Sequence, residues 1–88
     1  MTISNGAVTI AVTEVAIYAN VGSSPATVKV SNGAAGQAVY IGATGLAVAD
    51  GWTLASDTTE SFPLPAGNTL YGIVAGTTQV VKFVATQN

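Results

Sequence analysis

Neither cysteine nor histidine occurs among the 88 residues, so disulfide bridges, thiol chemistry and the two commonest transition-metal ligands are excluded at once. Charge is also scarce. Two lysines and four carboxylates make up 7% of the chain, against about 25% in ordinary soluble domains. With Lys29 and Lys82 as the only cations and a net charge of −2, there is almost nothing to neutralise a phosphate backbone, and nucleic-acid binding is discarded. Long apolar runs are missing too: the longest, Val15 to Ala19, is far short of the ~18 residues a membrane-spanning helix requires. The segment from Met1 to Val12 has no basic start and no continuous apolar core, so it is not expected to be a signal peptide. A soluble protein made in a cytoplasm is expected.

Catalysis has few groups to work with. Without histidine or cysteine, a nucleophile would have to be serine or threonine beside a lysine or carboxylate, and no motif places one there. Asp57 and Glu60 are the only carboxylates close in sequence, and they fall around a loop and a strand start, where a solvated pair is expected rather than an acid/base couple. Asp50, Asp57 and Glu60 do not form the spaced acidic loop of a calcium site. The stretch Gly42-Ala43-Thr44-Gly45 lacks the lysine and following helix of a phosphate loop. The chain is therefore read as no enzyme, with no cofactor and no metal.

What is present is a strand pattern. Val8, Ile10 and Val12 alternate with Thr9, Ala11 and Thr13, and Val28 and Val30 alternate with Thr27, Lys29 and Ser31. Val15 to Tyr18 and Ala38 to Ile41 are more evenly apolar, as in strands covered on both faces or lying at an interface. Asn5-Gly6, Gly22 to Pro25, Asn32 to Gly36, Gly42 to Gly45, Asp50-Gly51, Pro65 to Asn68 and Gly76 punctuate the chain too often for a substantial helix. Leu46 to Ala49 is either a strand or a short helical turn. The expected fold is a single all-β domain over 1–88, a small antiparallel β-sandwich or barrel of seven or eight short strands. Its clearest part is 58–86, read as a three-strand meander: Thr58 to Leu64, Thr69 to Ala75 and Gln79 to Ala85. Pro63 and Pro65 end the first of these strands or put it at an edge. In the last, Val81, Phe83 and Ala85 face one way and Val80, Lys82 and Val84 the other, with Lys82 either an edge guard or an ordinary solvated lysine.

A small core without staples or metal points to stabilisation by self-association or docking, and an uncharged surface offers little repulsion against either. Candidate interface residues are Trp52, Tyr18, Tyr40, Ile3 and Val8. Trp52 is either a binding anchor or the cap of the core. Ile3 and Val8 belong to the N-terminal segment, which is placed to add a strand to a neighbour's sheet. Tyr18, Tyr40 and Tyr71 with Trp52 offer a sugar-stacking platform as an alternative.

Three pieces carry a resemblance: Val39-Tyr40-Ile41-Gly42, Asp50-Gly51-Trp52-Thr53-Leu54, and the stretch from Leu64 through Leu70-Tyr71-Gly72 to Thr78. Their pattern resembles small bacteriophage virion β-sandwich proteins of the capsid decoration or head-fibre type, over about the last fifty residues. The resemblance implies a capsid decoration or cementing protein on the outside of the virion. It would bind the major capsid protein lattice as a homo-oligomer, a trimer favoured, with no catalytic residues. The rival readings are a tail, fibre or connector module and a carbohydrate-binding or adhesion module.

Overall fold

The computed structural model describes residues 2–33, 36–43 and 45–87, and of Thr2 the backbone only. Met1 at the head of the N-terminal segment, Ala34-Ala35 and Thr44 in expected turns, and Asn88 lie outside the described residues. Eight strands form among the described residues: β1 (Thr2–Ile10), β2 (Val15–Ala19), β3 (Ala26–Asn32), β4 (Val39–Gly42), β5 (Trp52–Leu54), β6 (Thr59–Leu64), β7 (Thr69–Ile73) and β8 (Gln79–Gln87). The all-β sandwich expected from the alternation is the fold observed.

Two four-stranded sheets stack face to face, one in the order β1-β8-β3-β6 and the other β2-β7-β4-β5, with every pairing antiparallel. The pairs nest: β4 with β5, β3 with β6, β2 with β7 and β1 with β8. A long hairpin rolled up on itself gives this order, which is that of the eight-stranded jelly roll. Only β4 and β5 are consecutive neighbours within a sheet.

Alternation decides which side chains meet between the sheets. Ala26, Val28, Val30 and Asn32 of β3 are buried while Thr27 and Lys29 are exposed, and Val81 and Ala85 of β8 are buried while Val80, Lys82 and Val84 are exposed. Ile10, Val39 and Leu54 complete a fully buried centre, each such side chain contributing about 1.5–3 kcal/mol. Val12, expected in phase with Val8 and Ile10, lies past the end of β1 and is exposed. In β2 the register shifts between Ala16 and Tyr18, and the bulge turns both Ile17 and Tyr18 toward the core. Neither apolar stretch is fully buried on both faces: Ala16 is exposed, and Tyr40 is half-buried. Leu46 to Ala49 belongs to the β4–β5 connection and ends in a turn closed by Asp50 N–H donating to the Ala47 carbonyl at 3.0 Å.

The C-terminal meander is not formed. Its three strands exist, but β6 and β8 flank β3 in one sheet and β7 lies in the other. The turn signals mark strand ends correctly, yet each connection crosses between layers instead of folding into a hairpin. Because β8 sits between β1 and β3, Lys82 guards no edge and is a solvated lysine on the outer face. Pro63 does lie on an edge strand, β6, where its missing N–H deprives no neighbour.

Gly72 sits where the two sheets pack closely on one another. A Cβ there would lie 3.1 Å from both Ile10 Cδ1 and Ile17 Cδ1, and 3.4 Å from Val39 Cγ1. Gly72→Val is expected to overpack this point and cost about 1–3 kcal/mol. At about 4–8 °C per kcal/mol for a domain of this size, a thermal melt would resolve it.

Candidate protein-docking face

The outward face of the β1-β8-β3-β6 sheet follows from register. One row across it is Asn5, Val84, Lys29 and Ser61, and the next is Ala7, Lys82, Ser31 and Thr59. Ile3, Thr86, Thr27 and Pro63 form a third, and Thr9 and Val80 begin a fourth. Lys29 and Lys82 are diagonal neighbours, roughly 7–8 Å apart for such a pair. The chain's only two cations thus stand together at the middle of one face. None of the four carboxylates shares it: Glu14, Asp50 and Asp57 lie in connections, and Glu60 pairs with buried Val30 and so faces the other way. Around the lysines, Ile3 (64% exposed), Val80 (51%) and Val84 (43%) leave apolar surface to water. Thr27, Lys29, Ser61, Val84 and Thr86 line a shallow hollow of about 310 Å³.

The candidate interface residues do not form one surface. Ile3 is on this outer face, but Val8 points inward and packs half-buried on the core. Tyr18 also faces inward, its ring centroid 5.9 Å from that of Phe83. Tyr40 and Tyr71 are on the outer side of the opposite sheet, since Tyr40 pairs with Ile73 and Tyr71 with Gly42, while Gly72 faces the core. Trp52 is at the far edge, on β5. The four-aromatic platform therefore does not assemble, because strand parity and the β2 bulge distribute the rings over different faces.

Trp52 does not cap the core either, being 60% exposed. It borders a cleft of about 360 Å³ between the β5 and β6 edges, lined also by Ile41, Phe62, Pro63 and Leu70, and its Nε1–H donates to Glu60 Oε2 at 2.9 Å. Trp52→Ala is expected to cost only about 1–2 kcal/mol, for the hydrogen bond to Glu60 and the cleft contact, and to leave the fold intact. Iodide should quench the native emission of this sole tryptophan; emission shielded from iodide would contradict its exposure.

The remaining acidic groups are spread out. Glu14 Oε2 accepts the amide N–H groups of Gly45 and Leu46, at 2.9 and 3.0 Å, and ties the β4–β5 connection to the start of β2. Asp57 stands in the β5–β6 turn with φ at 59°, and Glu60 is occupied by Trp52, so the two form no couple. No three acidic side chains gather as metal ligands among the described residues.

Two buried amides went unread in the sequence. Asn20 and Asn32, 1% and 2% exposed, close opposite ends of the sandwich. Asn32 Nδ2 donates to the carbonyls of Gln37 (2.9 Å) and Leu54 (3.0 Å), and its Oδ1 accepts from Gln79 Nε2 at 2.9 Å. Asn20 Nδ2 donates to Ser24 and Leu64 carbonyls, both at 3.0 Å, and its Oδ1 accepts from Gln87 Nε2 at 2.7 Å. The two glutamines are the first and last residues of β8. At the Asn32 end, Gln37 Nε2 also donates to the Gly76 carbonyl and holds the β7–β8 connection.

No family model and no curated protein matches the chain. Among solved structures it is similar to a chain from Bacillus endospore appendages, which form a novel family of disulfide-linked pili. The two are 21% identical, with a TM-score of 0.57 over 98% of this chain and 88% of the other. At that identity the likeness establishes the fold.

Proposed function

We propose that this chain is a structural, non-catalytic protein of a bacteriophage virion, a decoration protein that binds the outside of the capsid lattice and stabilises it. The observation that carries the reading is the outer face of the β1-β8-β3-β6 sheet: two adjacent lysines, no carboxylate, and exposed Ile3, Val80 and Val84. Such a face fits an acidic protein surface with apolar ground between its charges. A protein that binds only the assembled lattice stabilises the assembled state by mass action. Repetition over a symmetric shell multiplies weak contacts. The sequence resemblance described above supports the same assignment.

A second reading, a subunit of an extracellular appendage, is favoured by the fold likeness to the endospore pili. Disulfide links of the kind named for those pili cannot form through these 88 residues, which contain no cysteine. One experiment separates the readings. Purified protein is mixed with virions lacking it, pelleted, and imaged by cryo-electron microscopy. Saturable binding at hundreds of copies on capsid symmetry positions is expected. A handful of copies at the tail would move the protein to a tail or fibre role, and filaments formed by the protein alone would favour the appendage.

A further inference from the structure

Four strands lie at sheet edges: β1 and β6 in one sheet, β2 and β5 in the other. Three of them carry something that hinders a further strand. β6 contains Pro63, β2 is broken by its bulge, and β5 is three residues long. β1 carries no such device. It runs nine residues in unbroken register with β8, without proline or any charged side chain.

Every second residue of β1 turns its N–H and C=O away from β8, and these groups call for an extended backbone rather than for a side chain. In a second copy, the one edge of matching length with neither proline nor bulge is β1 itself. We infer that β1 pairs antiparallel with β1 of a second copy about a twofold axis normal to the sheet. The two four-stranded sheets then continue as one, in the order β6-β3-β8-β1-β1-β8-β3-β6.

The register follows from geometry. Residues opposite one another must share a face, and full overlap sets Thr2 against Ile10. Ile3 then faces Thr9, Ser4 faces Val8, Asn5 faces Ala7, and Gly6 lies on the axis against its own copy. No like charges meet, because the strand has none. Such an isologous contact closes at two copies, unlike the trimer expected from the sequence resemblance. The inference does not depend on the capsid assignment.

Sedimentation equilibrium of the purified chain tests it. Twice the 8.7 kDa chain mass is expected at high concentration. The double variant Asn5→Lys/Ala7→Lys adds lysines at two exposed outer-face positions and sets them against each other across the axis. Its mass should fall to the monomer, while its circular dichroism stays native. For the register, Asn5→Cys protein is mixed with Ala7→Cys protein and oxidised. The mixed disulfide should form about tenfold faster than either homodimer, because only opposite residues come within the roughly 4.4–6.8 Å that a disulfide spans. A monomer at every concentration, a trimer, a lysine variant that stays dimeric, or homodimer disulfides forming as fast as the mixed one would each overturn the inference.

Discussion

Asn32→Ala is expected to lower the stability of the isolated chain by about 2–5 kcal/mol, read by urea denaturation. The side chain is 2% exposed, and its loss strands the buried Leu54 carbonyl, the Gln37 carbonyl and the Gln79 amide. Each buried polar group left without a partner costs about 1–3 kcal/mol. The whole fold is worth only about 4–13 kcal/mol, at roughly 0.05–0.15 kcal/mol per residue, so the change should move the midpoint far enough to see without ambiguity. Asn32→Asp should be at least as damaging as alanine. It keeps an acceptor for Gln79 but has no N–H to give either carbonyl, and it sets a carboxylate against both. Asn20→Ala, at the other end and sharing no partner with Asn32, should cost a similar amount and add to it. Asn68→Ala, at an exposed turn position, is the control and should change little. A near-neutral Asn32→Ala would mean that the amide does not hold the end of the sandwich together.

The second large effect concerns binding. Lys29→Glu with Lys82→Glu is expected to weaken association with the particle by about 100-fold or more, or about 2.8 kcal/mol at 1.4 kcal/mol per tenfold. Both side chains are exposed, so the melting temperature should hardly move. The reversal replaces the only two cations with carboxylates at the centre of the face, and an acidic partner would then meet repulsion. Alanine at the same positions should give an intermediate loss, and added salt should weaken the native complex while affecting the alanine variant less. Binding that survives the double reversal unchanged would remove the outer face of this sheet from the proposed contact.

Strand positions could be read from the sequence because alternation and turn residues are local. Val28, Lys29 and Val30 declare their faces within three residues, and β8 declares both of its faces over nine. Strand partners are not local, and that is why the expected meander failed: nothing between Thr58 and Ala85 records that β3, some thirty residues earlier, separates β6 from β8. The same gap leaves open, from sequence, whether Lys82 stands at an edge or is an ordinary solvated lysine, as it is. Asn32 did leave a signal, standing in phase with Ala26, Val28 and Val30 at a position that alternation makes inward. Next to Gly33 it carries an equally strong turn signal, which masks the first. The pairing of Lys29 with Lys82 depends on the register of β3 against β8, which neither strand carries alone.

The nested pairing also governs how the molecule holds together as a whole. No two strands among β1 to β4 are hydrogen-bonded neighbours, and neither are any two among β5 to β8; every ladder joins one half of the chain to the other. Each half is a set of strands without partners until the other arrives. A cut in the β4–β5 connection would therefore leave two pieces with no ladder of their own, whereas the nested pairs keep their ladders in any fragment that spans that connection.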